Sequence, residues 1–276
     1  MYTRNKVNLT ITTILLVSAL IIMLAPFYFI VVNSFKPLSE IAANGFALPK
    51  HFSLENYFVA WNRIDFGNAL KNTTIITLLA NVGPILFGSM AGYWFTRHPN
   101  KIAQPIYMFM IGSMAIPFQA VMIPFAKVTK TLHLVNSHLG LAVCFWAFSL
   151  PISMFLVAGA TKNVPFEIEE AAIIDGCSYF HMFWRVVFPL VKPAVMTFSI
   201  INTFWYWNDY LMTQMLLTRK ALRTIQLSMQ ALFNEAFYAW DTALSALTLS
   251  LIPMLIVFTL LQKNVLEGVA AGAVKG

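Results

Sequence analysis

Charge is missing from six long stretches of this chain: residues 7–35, 72–96, 102–126, 131–161, 193–218 and 242–262. They are 21 to 31 residues long, and Asp209 is the only Asp, Glu, Lys or Arg inside them. About 20 consecutive apolar residues in a helix cross the hydrocarbon of a bilayer, so every stretch can span one. The other 28 charged side chains crowd into the segments between. Overall 11% of the 276 residues are charged and 59% apolar, against about 25% charged in an ordinary soluble domain. This alternation excludes a soluble enzyme and a disordered chain. It also excludes nucleic acid as a partner, because the +7 net charge is scattered among loops rather than gathered into a patch. The stretches are too long for strands of a membrane β-barrel and lack period-2 alternation. The expectation is an all-α integral membrane protein, one transmembrane domain over 1–276. Six helices are placed at 9–33, 72–96, 104–127, 136–161, 193–218 and 242–263, with a loop at 162–192 and a tail at 264–276.

The first stretch follows Arg4 and Lys6 but is far longer than a signal-peptide core, so it reads as a retained helix. Cys144 and Cys177 fall at different membrane depths, and no disulfide is expected. Six spans place both termini on one side. Counting Lys and Arg gives nine on each side, so the positive-inside rule leaves the orientation open, with Arg4 and Lys6 leaning towards an inside N-terminus. In the first long loop, 34–71, Leu54, Tyr57, Phe58, Trp61 and Ile64 recur at helical spacing, with Ser53 as N-cap. They predict a short amphipathic helix, lying on the membrane surface or packed as a lid. Gly88 and Gly92 form a G-x-x-x-G pattern suited to close helix contact, and Pro117 and Pro124 predict a kink or break in helix three. There is no phosphate-binding loop, no metal-ligand spacing and no catalytic constellation. No residue is assigned a catalytic or metal role and no cofactor is expected on this chain. An intramembrane enzyme built on Asp209 is the rival reading.

The loop between helices four and five carries more information than any span. Pro165 suits a helix first turn, and Glu167, Glu169 and Glu170 follow where the helix dipole favours acid. Gly176 supplies a positive-φ stop. A second short helix is placed from about Ser178 to just before Pro189, with Phe180, Phe183, Trp184 and Val187 as its apolar stripe. Ala171 and Ala172 leave a smooth patch that another protein can approach closely. The stripe lacks an evident partner in its own chain, which points to docking on a partner protein or to an interfacial helix lying on lipid.

Glu170-Ala171-Ala172, Gly176 and Val186-x-Phe188-Pro189 resemble the EAA loop of binding-protein-dependent ABC importer permeases, with Val186 and Phe188 in place of Ile and Leu. The resemblance implies that this loop is cytoplasmic and couples to an ATPase through Glu170, Ala171, Ala172, Asp175, Gly176, Phe183 and Pro189. Both termini are then cytoplasmic, in the inner membrane of a bacterium or archaeon. Asn33-Ser34-Phe35-Lys36, Leu54-x-Asn56-Tyr57, Trp207-Asn208-Asp209-Tyr210 and the tail 268–276 are similar to segments of carbohydrate permeases of the maltose type. That likeness implies one half of a heterodimeric sugar pathway for a di- or oligosaccharide. The implied partners are a second permease, two ATPase subunits that bind the ATP and Mg, and an external sugar-binding protein. A permease for another polar solute, such as glycerol phosphate, stays open.

On helix five, Asn202, Trp205 and Asp209 share a face with Tyr206 beside it, and Asn208 is adjacent. These five are the candidate pathway or gate residues, since aromatic faces stack on sugars and Asn and Asp bond hydroxyls. The small-residue tail is expected to be extended and to reach an ATPase cleft, with Gly272 and Lys275 making the contact.

Overall fold

The computed structural model describes the backbone of residues 2–235 and 239–273, and every regular element among the described residues is helical. We number the elements α1 (Tyr2–Asn33), α2 (Leu38–Ala43), α3 (Glu55–Arg63), α4 (Phe66–Arg97), α5 (Ala103–Ala115), α6 (Phe118–Thr131), α7 (His138–Thr161), α8 (Phe166–Ile174), α9 (Tyr179–Asn208), α10 (Leu211–Leu216), α11 (Ile225–Glu235) and α12 (Trp240–Ala273). Five helices are long and apolar enough to cross a bilayer, or six if the bent α5–α6 pair is one span. The chain divides into two compact units. One holds the residues up to 67 with 228–256; the other holds 68–227 with those from 257 onward.

In the first unit, α1 exposes Leu15, Leu16, Ile22 and Met23, each more than 60% accessible. Its spanning window buries nothing within this chain. Ser245 of α12 donates a 2.7 Å hydrogen bond to the Ser34 carbonyl, tying the end of α1 to the start of α12.

In the second unit, α4 and α7 pack closely. A Cβ on Gly92 would lie 2.7 Å from the Met154 carbonyl oxygen, and one on Gly88 2.6 Å from the Ser153 Cβ. The G-x-x-x-G pattern is therefore a helix-contact surface. Ile76, Leu141, Phe145, Tyr206, Met212 and Leu216 form one buried cluster. Val157, Val164, Phe183, Val187, Val191, Val195 and Phe198 form another, next to the 162–192 loop.

Several boundaries differ from those expected. Helix two begins at Phe66 rather than 72, and absorbs Pro84 through a π turn at Pro84–Gly88. Helix three is two helices bent by 109° between Ala115 and Phe118. Pro117 caps the second, with an extended backbone that its ring permits. Helix five spans Tyr179–Asn208 instead of 193–218. A π turn at Phe183–Val187 precedes Pro189, and the Phe188 N–H still reaches the Phe183 carbonyl. Pro189 then stands second in the α-helical run Phe188–Asn208, directly after the π turn that absorbs it within α9. The second short helix therefore does not stop before Pro189 but runs on into the span. Helix six continues past 263 to Ala273, so the backbone expected to be an extended tail is helical that far and includes Gly272. Lys275 lies outside the described residues.

Candidate functional site

The 162–192 loop folds as a helix, a tight turn and the first turns of α9. Asp175 ends α8, and Gly176 follows with φ +82°. The Cys177 N–H bonds the Ala172 carbonyl at 3.0 Å and the Gly176 N–H bonds the Ile173 carbonyl at 2.9 Å. This pair of bonds is the Schellman closure, which requires a left-handed residue at the glycine position. Ser178 starts α9 as expected: its Oγ accepts from the His181 N–H and lies 2.9 Å from His181 Nδ1.

The loop is clamped to α4 by a side chain that sequence reasoning treated only as first-turn acid. Glu169 is 2% exposed. Its Oε1 accepts from Arg97 Nε at 2.8 Å and Nη2 at 2.6 Å. Its Oε2 accepts from the Tyr93 hydroxyl at 2.7 Å. Arg97 Nη2 also donates to the Val164 carbonyl at 2.7 Å, and its guanidinium lies 5.6 Å from the centroid of the Phe166 ring. Both oxygens of the carboxylate are thus bonded to donors, which a buried charge requires. Among the described residues, Arg97–Glu169 is the only salt bridge.

Beneath the clamp, the Tyr93 and Phe183 rings are 5.2 Å apart. Phe183 and Val187 are buried in this chain's own core, which corrects the expectation that the stripe lacks a partner within its chain. Glu170, Ala171, Asp175, Gly176 and Pro189 are exposed, while Ala172 is buried. Of the seven residues assigned to coupling, five are exposed on the loop and its junction with α9, and Phe183 and Ala172 support them from below.

The other end of α9 is built differently. The helix stops at Asn208, so Asp209 does not share a helix face with Asn202 and Trp205 as expected. It sits in extended backbone. Its Oδ1 accepts from the Thr213 N–H at 2.9 Å and the Thr213 hydroxyl at 2.8 Å, capping the start of α10. Tyr206 is buried and donates to Ser149 Oγ at 2.7 Å. Asn202 is buried, with its Nδ2 lacking a hydrogen-bond partner. Asn208 is exposed and accepts from Gln226 Nε2 at 3.2 Å. Trp205 is partly exposed, and its ring stands edge-on to Phe145 at 5.6 Å. It also lines an open cleft of about 570 Å³ with Ser113, Ile116, Pro117, Phe118 and Phe148, at the bend between α5 and α6. Of the five residues expected to line a pathway, Trp205 and Asn208 are exposed. Asn136, with φ +57°, braces this end: its Oδ1 accepts from the Thr218 and Arg219 N–H groups at 2.8 and 3.0 Å.

The chain belongs to the family of binding-protein-dependent transport system inner membrane components, whose model matches residues 84–270. It is 34% identical over 255 residues to a probable starch degradation products transport system permease of Thermoanaerobacterium thermosulfurigenes, covering 92% of this chain and 93% of that protein. It is 32% identical over 252 residues to the melibiose/raffinose/stachyose import permease of Bacillus subtilis, covering 91% of each. Its fold matches a chain from the crystal structure of a bacterial ABC transporter involved in alginate import. The TM-score is 0.80 at 21% identity, over 94% of this chain and 96% of that one.

Proposed function

We propose that this chain is one half of the translocation pathway of an ATP-driven importer for a di- or oligosaccharide. The observation that carries the reading is its likeness, over nine-tenths of its length, to permeases named for starch products and for melibiose, raffinose and stachyose. The second half of the pathway is a homologous permease, and an external binding protein delivers the sugar. Two ATPase subunits bind the ATP and Mg, and this chain holds no cofactor and performs no chemistry. The 162–192 loop faces the cytoplasm, which places both termini there, in a bacterial or archaeal inner membrane. Glu170, Ala171, Asp175 and Gly176 meet the ATPase. The Glu169 clamp supports this role by fixing the loop to α4, so that a push on the loop moves the spans as a body. Trp205 and Asn208 supply the solute-facing groups, with Asn202, Tyr206 and Asp209 holding the shape of the pathway. The C-terminal segment of the chain, with Gly272 and Lys275, makes a second ATPase contact.

The test uses the assembled importer in sealed vesicles, with Cys144 and Cys177 replaced by Ser and a single cysteine at Ala171. The reading expects cross-linking of that cysteine to the ATPase subunit and ATP-dependent uptake of labelled oligosaccharide. Absence of the cross-link in every nucleotide state overturns the coupling role. ATP-dependent uptake of a non-sugar solute alone overturns the substrate.

A further inference from the structure

The loop between α1 and α4 is folded around a buried cation and turns its apolar side chains outward. Lys36 is fully buried, yet its Nζ donates to two neutral acceptors, Asn33 Oδ1 at 3.0 Å and the Asn44 carbonyl at 3.2 Å. Asn33 Nδ2 in turn donates to the Gly45 carbonyl at 2.8 Å, and Asn56 Nδ2 to the Lys36 carbonyl at 2.8 Å. The Ser34 and Tyr57 hydroxyls are 2.6 Å apart, and Phe35 stacks on Phe52 at 4.1 Å. Residues 44–57 are thus held against the end of α1.

The depth of that attachment decides what covers the loop. Phe46 lies 5.5 Å from Phe29, ring centroid to centroid, and its carbonyl accepts from the Tyr28 hydroxyl at 2.9 Å. Gly45 permits this approach, since a Cβ there would meet the Phe29 ring at 2.6 Å. Phe29 belongs to the spanning segment Ile11–Asn33, about 6 Å inside its end at 1.5 Å per residue. Phe46 therefore sits alongside the membrane helix, below its terminus. Phe46 is 68% exposed, Leu48 71%, Phe52 71% and Phe58 70%. A protein surface exposed to water seldom gathers so many large apolar side chains without a partner. Here they continue the exposed apolar surface of α1.

We propose that Phe46 and Leu48 insert into the lipid interface as a membrane-seated foot of α1, braced by Lys36. Its partner is the acyl and glycerol layer of the bilayer. The foot fixes the depth of α1 at the end opposite Arg4 and Lys6.

The experiment uses the assembled importer in vesicles of phosphatidylethanolamine and phosphatidylglycerol, with Cys144 and Cys177 replaced by Ser. Nitroxides placed singly at Leu48, at Leu16 as the lipid reference and at Ser39 as the water reference are scored for collision with oxygen and with a water-soluble nickel chelate. The proposal expects Leu48 to favour oxygen as Leu16 does, whether or not binding protein is added. High nickel accessibility at Leu48 overturns it, because the foot is then in water. Low accessibility to both reagents also overturns it, because a protein partner then covers the surface. Gly45→Leu, which blocks the seat on Phe29, shifts Leu48 towards the nickel reagent and leaves Leu16 unchanged. No shift at Leu48 overturns the packing that seats the foot.

Discussion

Glu169 and Asp209 are both carboxylates set into an apolar protein, one before α9 and one after it, and they work over different distances. Glu169 reaches back 72 positions to Arg97 and 76 to Tyr93. Asp209 reaches four positions ahead to Thr213. The first ties a loop to a distant helix through a buried charge pair. The second ends one helix and starts another. A clamp of the first kind fixes the position of a whole loop, whereas a cap adjusts only the local path of the chain. The comparison teaches that rigidity is concentrated at the loop end of α9. The other end is articulated by short helices, a cap and the bend between α5 and α6.

The largest effect is expected at the clamp. Arg97→Ala or Glu169→Ala leaves a buried charge unpaired, a loss of about 3–5 kcal/mol. It is measurable as a lower thermal midpoint and a smaller folded fraction after detergent extraction. The double variant leaves no orphan charge and costs less than the sum of the singles. Additive losses would break the comparison at its stronger end.

Next comes the turn. Gly176→Val puts a β-branched side chain at φ +82°, a strain exceeding the roughly 1–2 kcal/mol of an ordinary residue in a left-handed conformation. The variant inserts but loses ATP-driven uptake. Gly176→Asn, which tolerates that conformation, keeps most of it. Equal uptake by the two variants would separate the turn from coupling.

The smallest effect is expected at the cap. Asp209→Ala costs about 0.5–2 kcal/mol, and Asp209→Asn a small fraction of that, because Asn caps nearly as well. Uptake by Asp209→Asn stays near wild type if the residue only caps. Collapse of uptake in a fully stable Asp209→Asn would mean that its charge engages the solute, and the comparison would need redrawing.

The two carboxylates also differ in how far the sequence reveals them. The membrane class and the Gly176 turn are legible, because charge-free length and a glycine stop are local signals. Glu169 is not. Glu167, Glu169 and Glu170 look alike in a helix first turn, and which one turns inward depends on where Arg97 arrives from another helix. The cap at Asp209 did leave a signal, an acid with Thr213 downstream, but hydropathy passes over capping and merges α9 with α10. The start of α9 was hidden by Pro189 and Pro193, which look like breakers until a π turn is allowed before them. The buried strut at Lys36 is concealed in the same way as the clamp, since a lysine next to a span reads as a solvent-facing charge.

Hydrogen–deuterium exchange of the 166–175 amides, in wild type and in Arg97→Gln, tests the central claim most directly. If the clamp holds the loop, losing about 3 kcal/mol of local stability accelerates exchange there by roughly a hundredfold. The amides of α10, which no clamp residue touches, keep their wild-type rates. Unchanged exchange at 166–175 in a folded Arg97→Gln protein would contradict the account.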